Sequence, residues 1–329
     1  MTRRFPLALL LLLLAATGFG QTHGGLMPFT IMEYNCENLF DCRHDSLKED
    51  TEFLPDGERR WGMSRYWRKL NDIGRVIHQC GDNNGRRHLP DLVALVEVEN
   101  DSVMHTLTRR SMLREAGYRY VMTQSPDRRG IDVALLYNPL TFALIAQDRL
   151  RVTPPKGEQP TRDILYVKGR TRTDDTLHVF VVHAPSRSGG WKATERYRMT
   201  VAQRIISTLD SIRTQRNDAN IIIAGDFNDY SYNKPLMLLC DRGMTDLSAK
   251  TAGKRAKGTY KHQGRWNSLD HILLSATLVP RVTGCRIHDP LWLLESDTRG
   301  GYKPRRTYLG TYYHGGVSDH LPLVLELGL

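Results

Sequence analysis

Four times in this chain an apolar run meets a tight cluster of acids and amides: Asn35 with Glu37, Glu97 with Glu99, Asp226 with Asn228, and Ser318 with Asp319 and His320. The segment 220–229 shows the pattern most plainly. Ile221, Ile222 and Ile223 read as a buried strand that runs through Ala224 and Gly225 straight into Asp226, Phe227, Asn228 and Asp229. Residues 92–96 lead into Glu97 in the same way, and 269–272 embeds Asp270 and His271 in a third apolar stretch. One acid at a strand end reads as a turn residue or a cap, but several such ends imply one shared ionic site. Converging hard oxygen donors suit a divalent cation, Mg2+ with Mn2+ as a substitute.

At 329 residues the chain could form one large domain or two ordinary ones; no internal repeat or Gly/Ser/Pro linker divides it, so a single domain over 21–329 is expected. Residues 1–20 read as a secretory signal, with Arg3 and Arg4 before the apolar run 7–14, which is too short to span a bilayer, and small residues through Gly20. The expectation is an exported monomer, periplasmic or extracellular, without stable membrane insertion. The formal charge of +10 loses the two signal arginines and stays at +8, which favours polyanionic partners. Net charge alone fits ordinary solubility equally well. Residues 298–320, however, set Arg299, Lys303, Arg305 and Arg306 among Tyr302, Tyr308, Tyr312 and Tyr313 just before Asp319 and His320, a mixture suited to phosphate contact and base stacking. Five cysteines leave at least one unpaired, and no pair has zinc-site spacing.

Strands are predicted at 29–35, 91–97, 131–138, 163–168, 177–183, 220–225, 269–275 and 322–327, with weaker ones near 118–122 and 141–149. Helical periodicity covers 64–79 through Leu70, Ile73 and Ile77, 193–214 through Val201, Ile205 and Leu209, and 100–116 behind an Asn100 or Asp101 cap. Many strands with few long helices fit an α/β fold of two stacked sheets covered by helices. A doubly wound nucleotide fold is disfavoured, because no G-x-G-x-x-G follows the first strand and several strands succeed one another without helices.

Asn35 and Glu37, like Asp226 and Asn228, lie two apart at a strand end and so project to one face. Of the strand-end histidines, His271 reads as structural. His320 differs: a preceding acid, a tight Gly315-Gly316 approach and a following core strand would hold it rigidly, and an oriented imidazole can take a proton from water near neutral pH. Arg129, Arg162 and Arg187 each sit beside a site segment; a surface ion pair with Asp163 is expected for Arg162, and phosphate binding for Arg129 and Arg187.

The segments YNCENLFD (34–41), PDLVALVEVEN (90–100), RRGIDVALLYNP (128–139), VVHAPSRSGG (181–190), IIAGDFND (222–229), LDHILLS (269–275) and GGVSDHLPL (315–323) follow the order of the endonuclease/exonuclease/phosphatase superfamily. The chain resembles in particular its deoxyribonuclease-I-like, secreted bacterial members, over nearly all of its mature length. GDFN followed by SDH is the specific pair. Val96 stands where many members have Gln, and Val182 where relatives often have Asn. The resemblance implies a four-layered αββα sandwich of two mainly antiparallel sheets flanked by helices, with the active site at one edge of the sheets. It implies Glu97 as main metal ligand, with Asn35, Glu37 and Asp319 near the metal or phosphate. Asp226 and Asn228 would position the nucleophile and bind phosphoryl oxygens. His320 would be the general base oriented by Asp270, and His183 the second histidine, with Asp132 as its candidate partner.

The resulting expectation is an exported Mg2+-dependent phosphodiesterase with nucleic acid as substrate, cut internally, with Arg187, Arg129, Arg305 and Arg306 gripping phosphate. A phosphatase or phosphodiesterase for lipid headgroups or small phosphate esters is the alternative, since the same core serves those substrates. A non-catalytic binding module is the alternative from another class. A complete set of acids with two histidines disfavours it.

Overall fold

The computed structural model describes residues 26–83 and 86–329, so the signal segment expected over 1–20 lies outside the described residues. The chain opens with β1 (Pro28–Leu39), α1 (Met63–Cys80), a two-residue ribbon of β2 (Asp82–Asn83) and β3 (Arg86–Arg87), β4 (Leu92–Val98) and α2 (Asp101–Arg109). It continues through β5 (Arg119–Met122), β6 (Asp132–Tyr137), β7 (Phe142–Leu150), β8 (Ile164–Thr171), β9 (Thr176–His183), α3 (Trp191–Gln215), β10 (Asn220–Asp226), α4 (Lys234–Asp241) and β11 (Met244–Asp246). The last part holds a hairpin of β12 (Tyr260–His262) and β13 (Arg265–Asn267), then β14 (Asp270–Ser275) and β15 (Val282–Ile287). Two ribbons, β16 (Leu294–Ser296) with β17 (Tyr302–Pro304) and β18 (Tyr308–Leu309) with β19 (Tyr312–Tyr313), precede β20 (Leu323–Gly328).

Two six-stranded sheets, ordered β15-β20-β1-β4-β6-β5 and β11-β14-β10-β9-β8-β7, pack face to face with helices outside. Each is antiparallel except for one central parallel pair, β1 with β4 and β9 with β10. This is the expected sandwich. The strands of both parallel pairs read as continuous apolar runs because both faces are covered. Along β10, Ile222 and Ala224 enter the core between the sheets, whereas Ile221 and Ile223 pack in a second core under α3 and α4. Along β9, Val179 and Val181 face inward and Phe180 and Val182 face α3. Val182 is thus a packing residue of the helix layer, with no position in the site. Val96 is likewise wholly buried in the core.

The helix expected over 100–116 ends at Arg109. Its Asn100 cap is as expected, with the side chain accepting from the Val103 amide at 2.9 Å, but the hydroxyls of Thr106, Thr108 and Ser111 each donate to the carbonyl four residues back. Such back-bonding competes with continued helix. None of the described helices is long and apolar enough to cross a membrane, and the five cysteines are all free thiols.

Candidate active site

Period-2 alternation carries the inward faces of β9, β10 and β14 to one row of functional groups. Asp226 pairs in register with His183 on one side and Asp270 on the other. Asp270 continues the inward row of Ile272 and Leu274; His271 therefore points to the opposite face, where it bonds Asp246, Ser248 and the Asp229 carbonyl. That division puts Asp270 in the cleft row and His271 among structural partners. Gly225 permits the approach of β10 to β9, since a Cβ there, at φ +149°, would meet the Val182 carbonyl oxygen at 1.9 Å. A Cβ on Gly316 would similarly meet the Arg305 carbonyl oxygen at 1.9 Å, so the chain passes close against residues 305–306 just before Asp319 and His320.

The first sheet contributes by a different device. Register shifts in β1 after Asn35 and in β4 after Val96 mark bulges, and Glu37 (φ +48°), Asn38 (φ +60°) and Glu97 (φ +60°) adopt the left-handed region there. With Asn228 (φ +50°), four of the seven non-glycine residues at positive φ among the described residues lie in this site. Strain of that kind, about 1–3 kcal/mol per residue, persists only where the surroundings over-determine it. Asn38 N donates to Glu97 Oε2 at 2.8 Å, Glu37 N to Asn35 Oδ1 at 2.8 Å, and Asn228 N to Asp226 Oδ1 at 2.7 Å.

The result is a half-open cleft of about 880 Å³ at the ends of both sheets, lined by Glu37, Glu97, Asp226, Asn228, Asp319, His183 and His320 and by Arg59, Arg129, Arg162, Arg187 and Arg306. His320 Nδ1 lies 2.7 Å from Asp270 Oδ2, and the Tyr260 ring packs over the imidazole at 4.9 Å. Burial would lower the His320 pKa, but the charge and hydrogen bond of Asp270, with Asp319 and Asp226 nearby, raise it well above the usual histidine value. His183 is the opposite case: burial, then Arg162, Arg129 and His320, hold it well below that value. Its Nε2 lies 3.8 Å from Glu97 Oε1 and 3.9 Å from Asp226 Oδ2. These are contacts of a neutral imidazole, since the ring does not hold a second proton at neutral pH.

Several sequence expectations need correction. Asp132 does not orient His183; its carboxylate accepts from the Ser125 amide at 2.9 Å and from the Thr123 hydroxyl, while His183 Nδ1 has no hydrogen-bond partner. Arg162 is no surface residue: only 7% exposed, it bonds Asp127 at 3.0 Å and the Ala184 carbonyl at 2.9 Å, and Asp163 pairs with Arg151 instead. The Ala184 carbonyl also accepts from Asn228 Nδ2 at 3.1 Å, so Arg162 helps fix that amide. Arg306 enters the cleft between Asp319 and Glu37, but Arg305 does not line it and leans on the His314 carbonyl at 3.4 Å. Arg187 stacks over Tyr230 at 4.2 Å, and Arg129 bonds Asn38 beside Glu97. Arg306→Ala should therefore raise KM roughly tenfold, the scale of one charged hydrogen bond, whereas Arg305→Ala should leave KM within about twofold. Steady-state kinetics on the two variants checks this.

Glu33 escaped the sequence reading although it breaks the apolar strand 29–35. It is wholly buried, two residues below Asn35, and neither carboxylate oxygen has a partner. Burial, then Asp270 and Asp226, raise its pKa well above the carboxylate range. A raised carboxyl pKa destabilises the fold progressively as pH climbs above the unfolded value, because only the unfolded chain gains by ionising. Glu33→Gln should then melt higher at neutral pH, by about 2–4 °C for each kcal/mol recovered. The difference should close as pH falls toward 4, the ordinary carboxylate range; thermal melts at both pH values test it.

The oxygen donors fit a divalent cation. Glu37 and Asp226 are each pushed up to about 7, by burial and then by Asp319 and Asp270 respectively, so each holds its proton more tightly than a free carboxyl does. Binding a metal would draw those protons off. The resemblance gives Glu97, Glu37 and Asp319 as the residues that would hold it, and of these Glu37 and Asp319 pair with Arg306. Asn35 turns its amide nitrogen to Asp226 Oδ2 at 3.0 Å and Glu97 Oε1 at 3.5 Å, so in this arrangement it orients carboxylates and is not posed as an oxygen ligand. Among the described residues the group that converges within 4.8 Å is Asp226, Asp270 and His320, a different set from the one expected. Its 2.7 Å nitrogen-oxygen contact is that of a hydrogen-bonded dyad.

Residues 30–328 match the model of the Endonuclease/Exonuclease/phosphatase family. The chain belongs to that family, whose members are metal-dependent hydrolases of phosphate esters. Among solved structures, a mannosyl-6-phosphatase of Bacteroides thetaiotaomicron is 15% identical with TM-score 0.61, over 92% of this chain and 100% of that one. The human Nocturnin catalytic domain with bound sulfate is 16% identical, TM-score 0.55, over 91% and 93%. Truncated Caenorhabditis elegans TDP2 is 14% identical, TM-score 0.56, over 92% and 98%. At these identities the likeness establishes the fold. No curated protein matches significantly in sequence.

Proposed function

We propose that this protein is an exported, Mg2+-dependent phosphodiesterase that cuts nucleic acid internally. The observation that carries the reading is the His320–Asp270 pair at 2.7 Å, facing a cleft where carboxylates meet arginines. With Nδ1 committed to Asp270, His320 takes the proton of the attacking water through Nε2. Arg162, by bonding the Ala184 carbonyl, holds Asn228 so that its remaining amide proton meets a phosphoryl oxygen. The neutral His183 ring offers a hydrogen bond there without adding charge. Arg306, Arg129 and Arg187 counter the phosphate. The metal, when bound, supplies charge neutralisation at the phosphoryl and leaving oxygens.

Trp191, Tyr230, Tyr260 and Tyr308 wall the same cleft, which supports flanking bases as the neighbours of the scissile phosphate. The rival is a phosphatase for small phosphate esters, the activity named for the Bacteroides thetaiotaomicron neighbour. Purified protein with Mg2+ assayed against DNA, RNA, sphingomyelin and a sugar phosphate separates the two. Turnover of the sugar phosphate alone would replace the nuclease reading.

A pH profile gives a second check. His320 must lose its proton to act, so kcat/KM should rise with pH through an apparent pKa above the usual histidine value. In Asp270→Asn the anion that stabilises the imidazolium is gone, and the rising limb should move to lower pH while the maximum falls. An unmoved limb would show that another group limits the rate.

A further inference from the structure

The hairpin of β12 and β13 divides two cavities. Gln263 (φ +49°) and Gly264 (φ +80°) form its tip, both left-handed as a two-residue primed turn requires, so the hairpin is tight. Tyr260 and His262 line the wall of the catalytic cleft, and Lys261 with its cross-strand partner Trp266 lines a second cavity of about 770 Å³, which Arg265 and Asn267 also wall. Lys261 builds the floor of that cavity: its ammonium lies 5.5 Å from the Trp266 ring centre, bonds the Gly300 and Tyr302 carbonyls at 2.8 and 2.9 Å, and pairs with Asp297 at 2.9 Å.

Arg255, Lys257 and Arg265 surround this floor, exposed, and among the described residues the side chain of none has an acid or hydrogen-bond partner. Among the described residues no carboxylate lines the cavity. Some exposed arginines elsewhere carry acids, as Arg128 does with Glu49 and Arg196 with Glu158, both at 2.6 Å, and others such as Arg43 and Arg172 stand singly; here three cations share one hollow. Three unpaired cations over an indole and Tyr302 present charge to a polyanion and flat rings to bases. A third hollow joins the two cavities, sharing Tyr260, His262, Arg306 and Asp319 with the catalytic cleft and Lys261 and Gly264 with the basic one.

We propose that the basic cavity is a second anchoring site for the same substrate, in which Arg255, Lys257 and Arg265 hold backbone phosphates of a nucleic-acid strand remote from the scissile bond, with Trp266 and Tyr302 against its bases. The proposal rests on the nucleic-acid reading and adds a length requirement to it. A dinucleotide reaches only the catalytic cleft; a long strand crosses the hairpin and fills both.

The test is the triple variant Arg255→Ala, Lys257→Ala and Arg265→Ala, all surface changes, assayed on a dinucleotide and a long oligonucleotide. KM for the oligonucleotide should rise at least about tenfold while kcat/KM for the dinucleotide stays within about twofold. The slope of log binding constant against log salt should flatten by about 2–3, as each phosphate contact contributes ~0.7–0.9. If the wild type cuts oligonucleotides and the variant matches it in KM and salt slope, the second site is wrong and the nuclease reading stands. If the wild type cuts neither substrate but releases phosphate from a monoester, both fail. Binding of the wild type to phosphatidylserine vesicles, lost in the variant with no change on oligonucleotides, would assign the cations to a membrane surface and overturn the proposal.

Discussion

His320→Ala should lower kcat by roughly 10²- to 10⁴-fold, the range of general-base assistance, with KM little changed. Asp270→Asn and the double variant should fall to similar rates, because the two side chains perform one proton transfer and groups that act as a unit are non-additive. The structural ground is specific. Asp270 is wholly buried, its Oδ2 meets His320 Nδ1 at 2.7 Å, and its Oδ1 has no other partner, so its one visible task is to orient and charge that ring. Ser318 helps from the other side, accepting from the His320 amide at 3.1 Å and donating to the Asn35 carbonyl at 2.7 Å. A double variant that loses the product of the two single effects would show that the residues work independently.

Chelation should abolish turnover, with Mg2+ or Mn2+ restoring it, and Glu97→Gln should raise the metal concentration required by about 10- to 100-fold. That is the scale set by losing groups that tune a metal site. Glu97 is suited to this because its bulged, left-handed backbone turns the carboxylate out of the strand register into the cleft. Oxygen donors without thiolates favour hard cations, so Zn2+ should be a poorer substitute. Metal titration of activity for the wild type and the variant, after EDTA treatment, measures the effect. Full activity of either protein in chelator would remove the metal from the account.

The strands of the parallel pairs were legible because apolar residues on both faces leave a run with no other interpretation. The acids and histidines at the strand ends were legible one by one, but that His183, Asp226 and Asp270 share one row, with His271 on the opposite face, emerges only from the strand register. Backbone bulges were not legible: nothing in YNCEN or EVEN announces that Glu37 and Glu97 adopt positive φ. Side chains that act across long sequence distances were missed or misplaced for the same reason. Arg162 is buried by partners 35 and 22 residues away, and Arg305 and Arg306 are separated in role by a local alternation that short ribbons do not disclose. Glu33 left a signal, an acid inside a buried strand, whose meaning depends on the facing sheet. The eight-residue helix Lys234–Asp241 is too short to give a clear period, although Pro235 in its first turn marks its start. β16 to β19 are two or three residues each, below the length at which period-2 patterning is distinctive, and β15 is broken by Gly284.

The most direct measurement is the nicking of covalently closed circular DNA by the purified protein, since a circle has no ends and reports internal phosphodiester hydrolysis alone. With Mg2+ the wild type should convert circles to the relaxed form, EDTA should stop the conversion, and His320→Ala should slow it by roughly 10²-fold or more. Circles left intact by a preparation that releases inorganic phosphate from monoesters would contradict the assignment.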